Sequence, residues 1–345
     1  RGVVGGGGKD APSPYGTTNI TEFVTIQSTG NAQDFGDLTV ARDRTAGAAS
    51  PTRGVIFQGY SAPAPVSVID FFTIASTGDA VDFGNLAASS VIISSFGSST
   101  RGFWAGGREG STRTNRIQTV VFASTGDTTD FGDLGTGRDY PMGASNSTRG
   151  LIAGGYPHPG STPTNSVEYV TMASTGAGQE FGDLTGARTG GGGTSSPTRS
   201  IFYGNAASVT NIIDFLTITT LGDAQSFGEL SFSSAGGGAN TNSVRAICAA
   251  GNDGANRNHI DYVTITSTGN GLDFGDLTLA RRFIAAMGSP TRSVFAGGYT
   301  NPEGSLNVNN IDYVEFASIG NAVDFGDLTN TRGGTAGCSN AHGGL

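Results

Sequence analysis

The sequence has very little lysine, histidine, tryptophan and cysteine. Of its 345 residues 19 are basic, but only Lys9 is a lysine, and there are three His, two Cys and one Trp. Charged residues make up 14% of the chain, and the formal net charge is −9. Such a chain lacks the long-range attraction that draws proteins to phosphate backbones and to anionic lipid surfaces. Nucleic acids and membranes are therefore not expected as partners.

Long apolar runs are also missing. No stretch of 18 apolar residues occurs, so the sequence predicts no membrane insertion. Cys248 and Cys338 have no His or Cys at ligand spacing, which favours two small buried apolar side chains over a disulfide or a metal pair. Because the chain begins at Arg1 rather than at Met, we expect a processed product or a fragment, with any targeting segment outside it.

Glycine is abundant, and the chain repeats itself. There are 57 Gly residues, and a phrase close to Ser-Thr-Gly-x-x-x-Asp-Phe-Gly-Asp-Leu occurs seven times. Its phenylalanines are Phe35, Phe83, Phe131, Phe181, Phe227, Phe274 and Phe325. A period in the forties with short alternating runs is typical of a β-propeller that has one four-stranded sheet per repeat. We predict an all-β, seven-bladed β-propeller with four antiparallel strands per blade, forming a single domain over residues 1–345.

Each repeat contains recognisable strands. The first is rich in Ala, Gly and Ser, as in residues 46–49, and suits the crowded position next to the propeller axis. The third is mostly apolar, as in residues 69–74, and is expected to be buried on both faces between blades. The segment 333–340 has the first-strand pattern, and Arg1 to Val4 has the second-strand pattern. The C-terminal segment should therefore complete the first blade and remove an open sheet edge.

The repeat resembles that of kelch-type propellers over the full chain. The shared features are the small-residue strand, a strand ending in Gly-Gly, a variable loop, an aromatic in the third strand such as Tyr169, and an Arg before the next blade such as Arg138. It departs from that family in having Phe where Trp is usual and in repeating Asp-Phe-Gly-Asp-Leu. These departures are similar to the Gly-rich repeat proteins predicted in marine bacteriophage genomes. That resemblance implies a virion or tail component.

The repeated acids have two interpretations. Pairs such as Asp34 and Asp37 would suit calcium, which prefers carboxylate and carbonyl oxygens. Alternatively, the acids cap tight turns and pair with the Arg five residues later, as in Asp37 and Arg42. The sequence favours this structural role, so we expect no metal and no cofactor. Asp-Phe-Gly is also part of the kinase signature, but the other kinase motifs are missing.

A second arginine set lies at every turn between the first and second strands. One interpretation is a ring that binds a polyanion or a partner's carboxylates, and the other is a structural fork that bonds carbonyls and turn acids of the adjacent blade. The occurrence of Arg in all seven repeats of an acidic chain favours the structural fork. The set comprises Arg1, Arg53, Arg101, Arg149, Arg199, Arg245 and Arg292.

No enzymatic constellation is visible. The three His are in separate repeats, Gly-x-Ser-x-Gly is absent, and a neuraminidase-type turn is missing. The loops between second and third strands vary while everything around them repeats, and variable loops on a rigid scaffold are where binding residues usually lie. Unconstrained solvated connectors are the alternative for any one loop. The candidate binding residues are Tyr15, Arg108, Arg113, Tyr156, His158, Asn256, His259, Tyr299 and Asn301.

These observations lead to a functional hypothesis. We predict a non-catalytic virion structural or host-attachment module, in a virion or extracellular setting, with other virion proteins or a host-surface glycan as partner. A secreted or cell-surface bacterial propeller that binds carbohydrate or protein is the alternative, and an unrecognised hydrolase is a third reading. The sequence leaves a homo-oligomer open.

Overall fold

A computed structural model describes residues 1–9, 16–91, 94–208, 210–300 and 306–340. Seven antiparallel four-stranded sheets follow one another along the chain. The innermost strand of each sheet contacts the innermost strands of the two adjacent sheets, so that the seven sheets form a closed ring. The predicted seven-bladed propeller is confirmed.

We number the blades 1 to 7 in the order of their third strands. The inner strands are Ala336–Ser339, Ala46–Ala49, Ser94–Gly97, Met142–Ser145, Gly192–Ser195, Gly238–Thr241 and Ala285–Gly288. The second strands are Gly2–Gly5, Arg53–Ser61, Arg101–Ala105, Arg149–Ala153, Arg199–Tyr203, Arg245–Ala249 and Arg292–Ala296. The third strands are Ile20–Val24, Ala64–Thr73, Arg116–Val121, Ser166–Thr171, Ile212–Thr217, His259–Thr264 and Asn310–Glu315. The fourth strands are Gln33–Asp37, Val81–Asn85, Thr129–Asp133, Gln179–Asp183, Gln225–Glu229, Leu272–Asp276 and Val323–Asp327.

Short strands of two residues each lie at one end of the ring. Three hairpins are formed by Gly8–Lys9 with Gly16–Thr17, Arg108–Glu109 with Thr112–Arg113, and Tyr299–Thr300 with Leu306–Asn307. In addition, Arg138–Asp139 pairs with Tyr156–Pro157. These elements extend the loops between second and third strands and tie them to the connections between blades.

The small residues of the inner strands are required by crowding at the axis. A Cβ added to Gly193 of blade 5 would lie 2.4 Å from the carbonyl oxygen of Gly143 in blade 4. The third strands carry the apolar surface, and in blade 5 Ile213, Phe215 and Leu216 are all buried. Both features agree with the sequence prediction. Cys248 and Cys338 are free and buried, as predicted.

The two ends of the chain meet in blade 1. The segment Ala336–Ser339 pairs antiparallel with Gly2–Gly5, from Gly2 opposite Ser339 to Gly5 opposite Ala336. The predicted closure is therefore confirmed, and blade 1 is built from both ends of the chain.

The repeated phrase forms the joints between blades. The N–H of the glycine in Ser-Thr-Gly donates to the carbonyl of the motif phenylalanine in the preceding blade, at 2.7 Å for Gly78 and Phe35. A second bond follows two residues later, at 2.8 Å from Ala80 N–H to the Asp37 carbonyl. The equivalent two bonds occur at all seven joints, including the one between blades 7 and 1.

This close approach explains the glycine of Asp-Phe-Gly. Gly36 has a φ of +139°, and a Cβ on it would lie 2.5 Å from the carbonyl oxygen of Gly78. The preceding phenylalanine is buried and packs edge-on against an aromatic ring of its own blade, as Phe181 does against Tyr169 at 5.7 Å between centroids. In blade 3 the third strand has Thr119 at this place, and Phe131 packs on Phe103 of the second strand instead.

Candidate functional site on the loop face

The two ends of the ring differ in what they display. One end, the loop face, carries the loops between second and third strands and the connections from each fourth strand to the next inner strand. The other end, the turn face, carries the short turns between first and second strands and the Ser-Thr-Gly turns. Each face has its own set of candidate residues.

The arginines of the turn face make hydrogen bonds and ring contacts within the protein. Arg53 donates from Nη1 to the carbonyl of Phe122 in the next blade at 2.6 Å, and its guanidinium lies 4.8 Å from the ring centroid of Phe71. All seven turn arginines donate to a backbone carbonyl of the following blade. Six of them also lie over an aromatic ring of the third strand. These contacts support the structural fork and leave few guanidinium N–H groups for a ligand.

The repeated acids serve the backbone. The first acid of the motif accepts a hydrogen bond from the N–H of the motif glycine, as Asp34 does from Gly36 at 3.2 Å. The same cap occurs at Asp82, Asp130 and Asp324. Among the described residues no group of three or more His, Cys, Asp or Glu side chains is arranged to hold a metal ion.

The expected pairing of Asp37 with Arg42 is wrong. Arg42 instead pairs with Asp70 of the next blade, and both side chains are fully buried. After the fourth strand the chain turns toward the axis and enters the space between two blades, so the arginine faces the third strand of the following sheet. The equivalent pairs are Arg138 with Glu168, Arg188 with Asp214, Arg281 with Asp312, and Arg332 with Glu22.

Two joints lack this arginine. Ser90 replaces it before blade 3, where Gln118 stands in place of the acid and accepts hydrogen bonds from Ala87 N–H and Thr128. Ser234 replaces it before blade 6, where Asp261 remains and is buried without an arginine. Ser231 donates to both oxygens of that carboxylate. The third-strand acid is thus lost at only one of the two joints that lack the arginine, so comparison of the repeats does not by itself identify the pairing.

The loop face carries strained backbone at three equivalent positions. Arg44, Tyr140 and Phe283 each lie two residues after the inter-blade arginine and have φ values of 52°, 54° and 53°. The equivalent residues before blades 5, 6 and 1 are Gly190, Gly236 and Gly334, with φ values of 61°, 69° and 65°. The left-handed conformation costs an L-amino acid about 1–2 kcal/mol and is nearly free for glycine. Of these six described positions, three therefore bear a large side chain and three are glycine.

Each of these side chains rests on a tyrosine of the adjacent loop. The Arg44 guanidinium lies 5.4 Å from the Tyr60 ring centroid. The rings of Tyr140 and Tyr156 are 6.5 Å apart and nearly perpendicular, and those of Phe283 and Tyr299 are 5.9 Å apart and also nearly perpendicular. We call these three contacts the rim pairs of blades 2, 4 and 7.

The rim pairs are correlated in sequence. In the blades with glycine at the strained position, the residue equivalent to the tyrosine is Ala206, Asn252 or Gly8. Tyr140 and Phe283 are 42% and 49% exposed, so these side chains stand at the surface rather than in the core. The partner tyrosines are held by backbone pairing between loop and connection, as in Asp139 opposite Tyr156 and Arg282 opposite Tyr299.

The structure brings together only some of the predicted binding residues. Arg108, Arg113 and Tyr156 form one group at the boundary of blades 3 and 4. Arg108 and Arg113 both pair with the buried carboxylate of Asp139, and the Arg113 guanidinium lies 5.5 Å from the Tyr156 ring centroid. His158 lies next to this group, and its backbone N–H donates a hydrogen bond to the Gly137 carbonyl at 2.7 Å.

A second group lies at blades 6 and 7, where the Asn256 side chain donates to the Tyr299 carbonyl at 2.7 Å. His259 belongs to neither group, because its ring contacts Asp276 and Phe232 within or beside its own blade. Tyr15 and Asn301 lie outside the described residues. The strained partners Arg44, Tyr140 and Phe283 were not predicted, because only alignment with the glycines of other repeats indicates a left-handed conformation at these positions.

A scan of protein-family models and a search of curated proteins both found no match to this chain. The structure establishes the seven-bladed propeller, and the resemblance to kelch-type propellers stays a prediction from the repeat pattern. In the portion of the chain that the structure describes, no helix has the length and apolar character needed to cross a bilayer.

Proposed function

We propose that this propeller is a non-catalytic virion structural or host-attachment module, whose loop face binds a surface glycan or a neighbouring virion protein. The observation that supports a binding role is the set of three rim pairs. They combine strained backbone, exposed aromatic or guanidinium groups and correlated loop tyrosines on one face of a rigid ring.

The backbone strain at the rim pairs does not stabilise the fold. Glycine occupies the same backbone position before blades 5, 6 and 1, so the ring closes without a side chain there. Strained residues persist mainly where the side chain has a role in binding or catalysis. Tyr and Arg are among the residue types that dominate binding energy at interfaces, and Phe is enriched there.

The experiment replaces the rim residues and measures stability and binding together. Tyr140→Gly and Phe283→Gly should leave the free energy of unfolding unchanged or raise it by up to about 1 kcal/mol, because the strain is relieved. The paired variant Tyr156→Ala with His158→Ala should also fold normally, since partly exposed loop residues contribute little. All three should weaken binding on a glycan array or incorporation into purified particles at least tenfold.

Leu221→Ala is the matched control, because Leu221 is 53% exposed on the turn face. Its binding should equal that of the parent. Rim variants that bind like the parent, or that lose binding only by unfolding, would refute the assignment to the loop face. Immunogold location of the protein outside purified particles would refute the virion part and favour the bacterial surface alternative.

A further inference from the structure

We propose that the corner between blades 3 and 4 is a subsite for a carboxylate-bearing sugar of an acidic glycan, formed by Arg108, Arg113, Tyr140 and Tyr156. This inference rests on the proposed binding function of the loop face and assigns its ligand chemistry. Blade 4 is the only rim pair in the described residues that is bordered by two guanidinium groups sharing one carboxylate.

The two arginines are fixed in place by one buried acid. The side chain of Asp139 is fully buried. Its carboxylate accepts a hydrogen bond from Nε of Arg108 at 2.8 Å and another from Nε of Arg113 at 2.9 Å. Arg113 also donates from Nη1 to the carbonyls of Pro157 and Gly160. Side chains held in this way are ordered before a ligand arrives, which reduces the entropy lost on binding.

The charge of the corner is not balanced. One carboxylate faces two guanidinium groups, so a net positive charge remains on a protein of formal charge −9. Arg108 Nη1 and Arg113 Nη2 make no hydrogen bond to any described residue, and the Arg108 side chain is 39% exposed. Free guanidinium N–H groups in a fixed plane are well suited to a carboxylate.

The aromatic pair favours a sugar over an acidic peptide. The Tyr140 and Tyr156 rings meet at 81° and form a corner with an exposed wall, since Tyr140 is 42% exposed. A tyrosine ring offers an apolar face for the C–H side of a pyranose and a hydroxyl for hydrogen bonding at its edge.

The test is calorimetric titration of the full chain with three probes of similar size. These are a galacturonic acid pentamer, a neutral galactose pentamer and a peptide of alternating Asp and Gly; a sialic acid trimer extends the acidic sugars. We expect an acidic sugar to bind at least tenfold more tightly than the neutral pentamer and the peptide. Arg108→Gln should reduce that affinity at least tenfold and leave the melting temperature close to that of the parent.

Arg116→Gln is the matched control, because Arg116 lies next to the same hairpin, is 46% exposed and pairs with Glu109. It should bind the acidic sugar like the parent. Arg113→Lys, which keeps the charge and loses the planar fork, should fall between the parent and Arg108→Gln.

The subsite is overturned if acidic and neutral sugars bind equally, if Arg108→Gln and Arg116→Gln behave alike, or if the peptide binds as tightly as the acidic sugars. Neutral-sugar binding that is lost in Phe283→Gly would preserve the proposed function while removing the acidic subsite. Absence of binding by every probe would reject the subsite, while the particle assay above would still test the proposed function separately.

Discussion

The guanidinium of Arg42 lies 2.9 Å from the carboxylate of Asp70, and neither side chain is exposed to solvent. The two residues belong to different blades, and four further joints contain an equivalent pair. Burial lowers the pKa of Arg42, and the Asp70 carboxylate opposes that shift. These pairs therefore connect neighbouring blades on the loop side at five of the seven joints, while the Ser-Thr-Gly turns connect all seven on the turn side.

Replacing only one residue of the Arg42–Asp70 pair should lower the free energy of unfolding far more than replacing both. Arg42→Met leaves Asp70 buried and unpaired, which should reduce the free energy of unfolding by about 3–5 kcal/mol. Replacing Asp70 by Leu in the same chain should recover most of the loss, because a buried pair is often close to neutral against apolar residues. Urea unfolding followed by circular dichroism measures both values. Arg44→Met, which changes an exposed residue two positions away, should have a free energy of unfolding within about 0.5 kcal/mol of the parent. An equal loss of stability in Arg42→Met and in the double variant would contradict the role of the ion pair.

Asp261 should make stability depend on pH. Burial raises its pKa above 3.8, against the opposing hydrogen bonds from Ser231. A carboxyl whose pKa is higher in the folded state binds its proton more tightly there, so the free energy of unfolding rises as pH falls toward about 4. This contribution is lost as pH rises through the folded pKa.

Asp261→Asn should remove that component. We expect the variant to be at least as stable as the parent at pH 7 and to lose this advantage between pH 7 and pH 4, measured as the difference in urea midpoints. Other groups cancel in the difference, because they are present in both proteins. A constant difference across this range would show that Asp261 does not titrate with a raised pKa.

Closure of the ring depends on the C-terminal strand. A chain that ends after Thr335 keeps Arg332 but loses the inner strand of blade 1, and it should lose several kcal/mol of stability, because ladder hydrogen bonds and buried side chains go with it. A chain that ends after Thr331 also loses the Arg332 pair with Glu22 and should be weaker still. A chain that ends after Asn340 is the control. Truncations that melt within a few degrees of the control would refute the closure.

The motif phenylalanine and glycine should both be intolerant of change. Phe131→Ala opens a cavity beside Phe103 and should cost about 3–5 kcal/mol. Gly132→Ala places a Cβ 2.4 Å from the Gly176 carbonyl oxygen at a φ of +146°, so it should disrupt the joint between blades 3 and 4. Val323→Ala, which alters an exposed residue of another fourth strand, should change the urea midpoint little. A small change in the urea midpoint for both Phe131→Ala and Gly132→Ala would contradict the role of these residues at the joint between blades.

Chelation should leave the fold unchanged. The first motif acids cap their own turns, as Asp130 does with the N–H of Gly132 at 3.1 Å. An ion bound only to the native state would raise the melting temperature by mass action. We expect equal melting temperatures in EDTA and in millimolar calcium, measured by scanning calorimetry. A rise of several degrees with calcium, absent with magnesium, would make the acids a metal site.

The fold was predictable because its causes are periodic. The motif phenylalanines define the blades, and the similarity of residues 334–340 to an inner strand predicts the closure. The Asp37 and Arg42 prediction failed because spacing along the chain was used in place of proximity between sheets. The partner of Arg42 is Asp70, which lies beyond an inner and a second strand.

The candidate site was predictable only in part, for a related reason. Tyr156 and Tyr299 lie in variable loops, which is a signal visible in the sequence. Their partners Tyr140 and Phe283 lie in connections that have the same length from repeat to repeat. Only alignment with Gly190 and Gly236 indicates that their backbone is left-handed. Asp139 was missed because its role is to hold two arginines from another blade's hairpin.

At the end of each blade away from the loops, backbone groups of the repeated phrase connect all seven blades. The segment that must stay constant and the segment that faces a ligand are thus physically separate. A mutation, insertion or exchange in one loop therefore leaves the backbone bonds of the repeated phrase unchanged at all seven joints. Such an arrangement lets loops diversify independently under selection, so that related chains with the same phrase can acquire different binding specificities on an unchanged ring.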